Sequence, residues 1–131
     1  VQNEDLIAKI TDECLLGFEH NAKTLAKCKN LVLLVQVNGR CGYERDGSFS
    51  TSKGTGWEMF DAGIAAQTFC LAAHDKGVGS CILGVFDDAK VAEVVGLPEG
   101  RTVAALIPIG FPKFTPEATP RKETEELISY M

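Results

Sequence analysis

Apolar residues recur at helical spacing across one long stretch, residues 55–76, and the rest of the chain can be arranged around it. Phe60, Ile64 and Leu71 follow one helical face, and most positions on the other faces are also apolar: Met59, Ala66, Phe69, Cys70 and Ala73. A helix that is apolar nearly all round is buried on several sides. A chain of 131 residues has few elements to surround it, so the pattern favours a second subunit as its neighbour.

Both ends of this predicted helix carry start and stop signals. Thr55 and Glu58 have the Ser/Thr-x-x-Glu spacing of a capping box, in which the hydroxyl and the carboxylate each bind a free backbone amide of the first turn. In the last turn His74 and Lys76 suit the negative end of the helix dipole, and Gly77 can adopt the left-handed conformation that ends a helix. The sequence therefore predicts a helix from Thr55 to Lys76.

Three shorter segments precede this helix. Asn3 can cap a first helix that ends at Gly17, because apolar residues recur at helical spacing between them. Residues 21–28 form a short polar link that is helical or irregular. Residues 31–37 are a short, continuous apolar run rich in branched side chains, which is typical of a buried central strand covered on both faces.

Two more elements are predicted after the long helix. Asp87 can cap a short helix over residues 88–95, which Gly96 closes. Residues 102–110 form a second continuous apolar run and hence a second buried strand. Pro108 has no amide to donate to a sheet, so we expect it at an edge, a bulge or the end of that strand.

A long polar loop, residues 38–55, separates the first strand from the long helix. Its last part, Lys53-Gly54-Thr55-Gly56, superficially suggests a phosphate-binding loop. It lacks the Gly-x-x-x-x-Gly-Lys-Ser/Thr order, and no strand runs directly into it. We expect either a mobile lid or a plain surface loop.

The last predicted helix has cations where cations are disfavoured. It begins at Thr119 and Pro120, so Arg121 and Lys122 occupy its first turn, beside the positive end of the dipole. Each cation costs about 0.3–1 kcal/mol there. One explanation is a bound anion, since unpaired amides and two cations together make a phosphate site. The other is that both side chains simply reach into water, and the residues alone leave both explanations open.

Composition places the chain among single globular domains. Hydrophobic residues make up 45% of it, and its formal net charge of -5 argues against a nucleic-acid backbone as partner. No apolar run reaches the length of about 18 residues that a membrane span needs. The cysteines are odd in number and lack the spacing of a disulfide framework or a zinc site, which indicates reduced thiols in a cytoplasmic protein: Cys14, Cys28, Cys41, Cys70 and Cys81.

No complete motif for nucleotide binding or nucleophilic catalysis is present. Gly77-x-Gly79 would need a third glycine where Ile82 stands, and it follows a helix rather than a strand. Ser80 has no catalytic base near it in sequence. What remains is an apolar strip from Gly77 to Gly84, bounded by glycines that let backbone lie close to a flat ring. A tight structural turn is the alternative.

Several short segments of the chain follow one another in a distinctive order. They are Asp61-x-Gly63-Ile64-Ala65-Ala66-Gln67, Leu71-Ala72-Ala73, Gly77-Val78-Gly79-Ser80-Cys81-Ile82-Leu83-Gly84, Val94-Val95-Gly96-Leu97-Pro98-Glu99, Ala105-Leu106-Ile107-Pro108-Ile109-Gly110-Phe111-Pro112 and Pro120-Arg121-Lys122. In this order and spacing they closely resemble the nitroreductase family of FMN-dependent oxidoreductases. The resemblance is strongest over residues 56–112 and extends over the whole chain.

This resemblance implies an α+β fold, a mixed central β-sheet flanked by helices, in one domain over residues 1–131. It implies a homodimer whose interface contains the long central helix, with one FMN at each of two interfacial sites. It also implies electron transfer from NAD(P)H through FMN to a nitroaromatic, quinone or similar small planar acceptor. A non-catalytic dimeric flavin-binding protein, and a relative with other flavin chemistry such as reductive dehalogenation, are the alternatives.

By position in the family, six residues would bind the cofactor: Cys81, Ile82, Leu83, Gly84, Arg121 and Lys122. The first four would lie along the isoalloxazine ring, and Leu83 and Gly84 would offer backbone amides to its N5 and O4 edge. Such donors favour the electron-rich reduced ring. The two cations would hold the ribityl phosphate. No side chain is implied as a catalytic acid, base or nucleophile, and no metal is implied.

The chain departs from the family pattern at its start. Family members usually begin with an Arg-Arg-Ser-x-Arg phosphate-binding segment and an Asn-x-Gln-Pro region that meets the flavin. Neither is in these residues, and Val1 aligns just after that region. We therefore expect an N-terminally incomplete piece of a longer protein. The alternative is a member that has lost much of its flavin site.

Overall fold

The apolar and amphipathic runs of the sequence become five helices and three strands in the computed structural model, which describes residues 1–115 and 117–131. In chain order they are α1 (Glu4–Glu13), α2 (Glu19–Leu25), β1 (Asn30–Val37), α3 (Gly56–Asp75), β2 (Gly79–Ser80), α4 (Asp88–Val95), β3 (Arg101–Gly110) and α5 (Thr124–Leu127). The predicted long helix and both predicted strands are confirmed to within one residue at each end.

The three strands form a sheet in the order β1-β3-β2, with β3 in the centre. β1 runs antiparallel to β3 along its whole length, with a bulge between Leu34 and Val35. β2 pairs its two residues, also antiparallel, with the end of β3. The α+β class is therefore confirmed, although both pairings in the described residues are antiparallel rather than mixed. The prediction of a central strand at residues 31–37 is wrong, because an apolar run reports burial and not its place in the sheet.

Helices cover both faces of this sheet. On one face, side chains from α1, α2 and α4 meet the sheet in the larger core: Ile7, Ile10, Cys14, Leu15, Leu25, Leu31, Leu83, Val91, Val103 and Leu106. On the other face, α3 packs Ala66 against Ala105 and Ile107. Partly buried side chains from β1, β3 and α3 pack around this contact: Val32, Leu34, Ile109, Phe69 and Cys70.

The side of α3 that faces away from the sheet carries large apolar side chains. Met59, Phe60, Ile64 and Leu71 are each 53–60% exposed, and we call them the α3 outer face. The sequence predicted that α3 is buried on several sides, and a single chain does not reach that burial. A contiguous exposed apolar surface of this kind marks an interaction site. In the described part of the chain, no helix has both the length and the apolar character needed to cross a membrane.

The predicted helix caps are confirmed at two helices. The Asn3 side-chain oxygen accepts a hydrogen bond from the Leu6 amide at 3.0 Å, and Asp87 does the same for the Lys90 amide at 3.0 Å. Gly96 closes α4 with a left-handed φ of 64°. These are local signals, so the sequence predicts them without knowledge of tertiary structure.

The first helix is shorter than predicted. It ends at Glu13 rather than near Gly17. Leu16 and Gly17 both have left-handed backbone, with φ of 51° and 73°, and a right-handed helix cannot continue through them. The apolar periodicity therefore runs past the end of the helix into the turn that follows it.

The loop from β1 to α3 is held by aromatic side chains. Tyr43 and Phe49 form a short antiparallel bridge with ring centroids 5.0 Å apart. The Trp57 indole donates a hydrogen bond to the Thr51 hydroxyl at 2.7 Å. Gly42 lies directly against Trp57, since a Cβ there would be 2.9 Å from Cδ1 of the indole. Of the two predicted forms, these contacts favour a surface loop fixed to the first turn of α3.

Candidate functional site

The predicted flavin-contacting strip, residues 81–84, runs along the open edge of the sheet beside β3. The Cys81 amide donates to the Pro108 carbonyl at 3.3 Å, and the Leu83 amide donates to the Leu106 carbonyl at 2.8 Å. Backbone groups alternate sides along an extended strand, so the amides of Ile82 and Gly84 face away from the sheet. Neither amide has a hydrogen-bond partner within residues 1–115 and 117–131. The strip therefore presents outward donors at alternate positions.

The direction of the Gly84 amide is set by its own peptide group. The Leu83 carbonyl accepts a hydrogen bond from the Leu106 amide at 3.1 Å and so points into the sheet. In a planar trans peptide the following N–H points the opposite way, which aims the Gly84 amide outward. A Cβ at Gly84 would have no heavy atom within 4 Å, so the space beside the glycine is open. This geometry leaves room for a flat ring system beside the amide, and the flavin contact of Gly84 stays a prediction.

The prediction for the Leu83 amide is wrong. That amide is already bonded to Leu106, and the Leu83 side chain is buried in the larger core. A residue that pairs with the central strand cannot offer the same amide to a ligand. The family position named the strip but could not reveal which of its amides the sheet uses.

Pro108 lies within the central strand, two residues before its end, and not in an edge strand. Its pairing partner on β1 is Leu31. The amide and the carbonyl of Leu31 both form hydrogen bonds with Val1, so they face away from β3. The backbone groups of Pro108 therefore face the β2 side, where regular pairing stops at Ser80. The missing amide consequently falls at the irregular end of the β2 ladder, which explains why the proline is tolerated.

One buried polar side chain supports the strip, and the sequence reasoning missed it. Asn21 is only 3% exposed, and its Nδ2 donates to the Val85 carbonyl at 3.0 Å. The segment containing it, residues 21–28, was predicted as a polar link that is helical or irregular, and it is helical as far as Leu25, the last residue of α2. The signal that could have found it is spacing, because Asn21 lies one helical turn before the buried Leu25.

The two predicted phosphate-binding cations lie outside a helix. The last helix, α5, begins at Thr124 with Glu123 as its cap, so the predicted helix start at Pro120 is wrong. Acidic residues fill its first turn, where they suit the dipole, whereas Arg121 and Lys122 precede it. The argument from a cationic helix start therefore does not hold.

The surroundings of Arg121 are local to its own segment. Its guanidinium donates to the Thr119 carbonyl at 3.1 Å and also to the Thr119 hydroxyl. Arg121 and Lys122 are both exposed, as are the other described residues from 111 to 131. Within the part of the chain that the structure describes, no hydrogen bond joins this segment to the strip 81–84. Their role as phosphate ligands stays a prediction.

A cavity of about 210 Å³ lies between β1 and the start of α3. Glu58 and Asp61 line it from the helix, and Cys41 lines it from the loop. The Glu58 carboxylate is 6% exposed and accepts a hydrogen bond from the Gly39 amide at 2.6 Å. The hydrogen bond to Asp61 is the main cause that raises the pKa of the Cys41 thiol, with partial burial adding to it. The bond from the Gly39 amide to Glu58 ties the loop to the helix.

The predicted capping box at Thr55 and Glu58 is wrong. Thr55 precedes the helix as its cap residue, but its side chain makes no capping hydrogen bond. The Glu58 carboxylate instead accepts the hydrogen bond from the Gly39 amide, and this bond attaches the start of the loop to α3. Local spacing could not reveal this because the partner lies 19 residues earlier in the chain.

Glu58 offers a direct test of this contact. We expect Glu58→Ala to lower the free energy of unfolding by about 1–3 kcal/mol, because it leaves the Gly39 amide without its partner. Glu58→Gln keeps a neutral hydrogen-bond acceptor and should lower the free energy of unfolding by less. Urea denaturation of both variants measures the difference, and equal stability of wild type and Glu58→Ala would show that the bond contributes nothing.

Comparison with known proteins identifies the family. The sequence profile of the nitroreductase family matches residues 4–111, so the chain belongs to this family. It is similar to the NADPH-flavin oxidoreductase of Vibrio harveyi, with 40% identity over 63 residues, covering 47% of this chain and 26% of that relative. The matched segment thus spans about a quarter of the length of this relative.

Solved structures share the fold. A nitroreductase family protein from Streptococcus pneumoniae TIGR4 superimposes with a TM-score of 0.82 at 18% identity, covering 100% of this chain and 76% of that chain. The NADPH:FMN oxidoreductase from Vibrio harveyi complexed with NAD+ gives a TM-score of 0.74 at 22% identity, covering 99% of this chain and 56% of that chain. At these identities the likeness establishes the fold alone.

Proposed function

We propose that the chain is the FMN-binding part of a cytoplasmic homodimeric flavin oxidoreductase. It would take electrons from NAD(P)H and pass them to a nitroaromatic, a quinone or a similar planar acceptor. Membership of the nitroreductase family supports flavin chemistry at this level. The observation that carries the proposal is the outward Gly84 amide beside open space on the sheet edge.

The strip around Gly84 suits a flavin ring for reasons of charge and shape. Bound FMN would supply the hydride and electron transfer between the nicotinamide and the acceptor. The chain would contribute a fixed hydrogen-bond donor at Gly84, which stabilises negative charge without reorganising during the reaction. Cys81 and Ile82 are exposed beside it and would line the edge of the ring. Leu83 would contribute only core packing, since its amide is used by β3.

A homodimer is supported by the α3 outer face. Four large apolar side chains along one stripe of a 20-residue helix are exposed in the single chain. Gly63 lies within this stripe, and a Cβ there would meet nothing within 4 Å, so another backbone can approach closely. A second copy laid on this surface would bury α3 on the side that the sheet leaves open. We propose this face as the centre of the dimer interface.

Turnover distinguishes this function from flavin binding alone. The expected result is a yellow protein that oxidises NAD(P)H rapidly only when a quinone or nitroaromatic is added. Bound flavin without turnover with either NADH or NADPH would favour a non-catalytic flavin-binding protein. A colourless protein that takes up no added FMN would contradict the proposal as a whole.

Arg121 tests the phosphate end of the proposed site. We expect Arg121→Ala to weaken FMN binding by about 1.5–3 kcal/mol, the value of a charge-assisted hydrogen bond. Flavin-fluorescence titration measures the dissociation constant. Lys113→Ala is the matched control, because it removes one exposed cation from the same terminal segment. An unchanged dissociation constant in Arg121→Ala would place this guanidinium in solvent.

A further inference from the structure

A three-residue turn, Gly84–Phe86, follows the strip that carries the outward amide. At its start, Leu83 is bonded to Leu106 through both its amide and its carbonyl. At its end, the Asp87 amide donates to the Cys14 carbonyl at 2.7 Å. Between these anchors, the hydrogen bond from Asn21 to the Val85 carbonyl is the one that holds the turn, among the residues described.

Asn21 is suited to this task by its burial and its chemistry. It reaches the turn across 64 residues of sequence and is 3% exposed. A buried carboxamide is costly unless it is hydrogen-bonded, so its position and its bond to Val85 depend on each other. Its NH2 group faces a carbonyl, which can only accept, and this fixes the orientation of the side chain.

The turn needs such a restraint because Gly84 is permissive. The Leu83 carbonyl fixes the direction of the Gly84 amide but not the path of the chain after it. Glycine samples a wide range of backbone conformations, and Val85, which is 45% exposed, follows directly. Holding the Val85 carbonyl against α2 fixes the path of the chain directly after Gly84.

We propose that Asn21 is a positioning residue for the flavin. By holding the Val85 carbonyl, it fixes the path of the Gly84–Phe86 turn so that the outward Gly84 amide can reach the ring. This role rests on the proposed function. A donor that is already in place favours the reduced ring more than the oxidised one, because the reduced ring carries more negative charge. Loss of Asn21 should therefore change the relative affinity for the two forms.

The test uses Asn21→Leu, which removes the donor at similar volume, and Asn21→Asp, which keeps the shape and removes the NH2 group. Leu25→Val is the matched control, since Leu25 is buried on the same helix but makes no bond to the turn. In the first measurement, hydrogen exchange of the Asp87 amide, which is bonded to the Cys14 carbonyl at the end of the turn, is followed in flavin-free protein. We expect exchange about tenfold faster in either Asn21 variant than in wild type, and little change in the control.

The second measurement is the midpoint potential of bound FMN, obtained with its dissociation constant. We expect reduced FMN to bind about tenfold more weakly relative to oxidised FMN in the Asn21 variants, which lowers the two-electron potential by about 30 mV. Equal exchange in the Asn21 variants and Leu25→Val, or an unchanged potential, would overturn the positioning role. If wild type binds no FMN, the proposed function fails and the flavin role fails with it. The exchange measurement then still decides whether Asn21 holds the turn.

Discussion

Replacing Ile64 with glutamate is expected to convert the proposed homodimer into monomers and to weaken FMN binding in the same variant. Ile64 lies in the middle of the α3 outer face and is 53% exposed in the single chain. In the proposed dimer its side chain is buried, and an unpaired buried charge costs about 3–5 kcal/mol. The dimer dissociation constant should therefore rise by at least about a hundredfold. Sedimentation equilibrium and flavin titration on the same sample measure both effects.

The matched control for this variant is Ala89→Glu. It adds the same charge at an exposed position of α4, on the opposite face of the sheet. We expect it to leave both the dimer and FMN binding unchanged. Retention of the dimer by Ile64→Glu would show that α3 does not form the interface. Loss of the dimer with unchanged FMN affinity would show that the flavin site is complete within one chain.

The second large effect concerns the centre of the sheet. We expect Leu106→Ala to lower the free energy of unfolding by about 2–5 kcal/mol, because it leaves a cavity in the larger core. Leu106 is fully buried on β3, opposite Leu33, and also bridges to Leu83. Urea denaturation measures the loss.

The same substitution also separates stability from the site. The two backbone bonds between Leu106 and Leu83 remain possible in Leu106→Ala, so the Gly84 amide should keep its direction. Val37→Ala is the control, because Val37 is 47% exposed at the end of β1. It should lower the free energy of unfolding by much less than Leu106→Ala does. Equal stability of the two variants would show that the larger core does not depend on Leu106.

Local signals predicted most of the fold. The caps at Asn3 and Asp87 and the stop at Gly96 are confirmed, because each depends on neighbours within one turn. The place of β1 at the edge was not predictable, since strand order depends on pairing between distant residues. The partner of Glu58 was missed for the same reason, because Gly39 approaches it only once the loop has folded onto α3.

For the candidate site, the sequence named a segment but not its geometry, and its role in binding flavin stays a prediction. The glycine-bounded strip and the family resemblance both led to residues 81–84. Which amides face outward depends on the pairing of Leu83 with Leu106, and this contact is visible only in the structure. Asn21 was missed because its only sequence signal is its helical spacing to Leu25, and its bond to Val85 joins residues 64 positions apart. The cations at Arg121 and Lys122 were placed in a helix that in fact begins later, where acidic residues fill the first turn.

The most direct test of the central claim is a fluorescence titration of FMN into the flavin-free protein, with the oligomeric state measured on the same sample. We predict saturable quenching at one FMN per chain in a dimer, and broadening or shift of the Gly84 amide resonance as FMN binds. Absence of quenching at any FMN concentration, or saturation with the Gly84 resonance unmoved, would contradict a flavin held at this edge of the sheet.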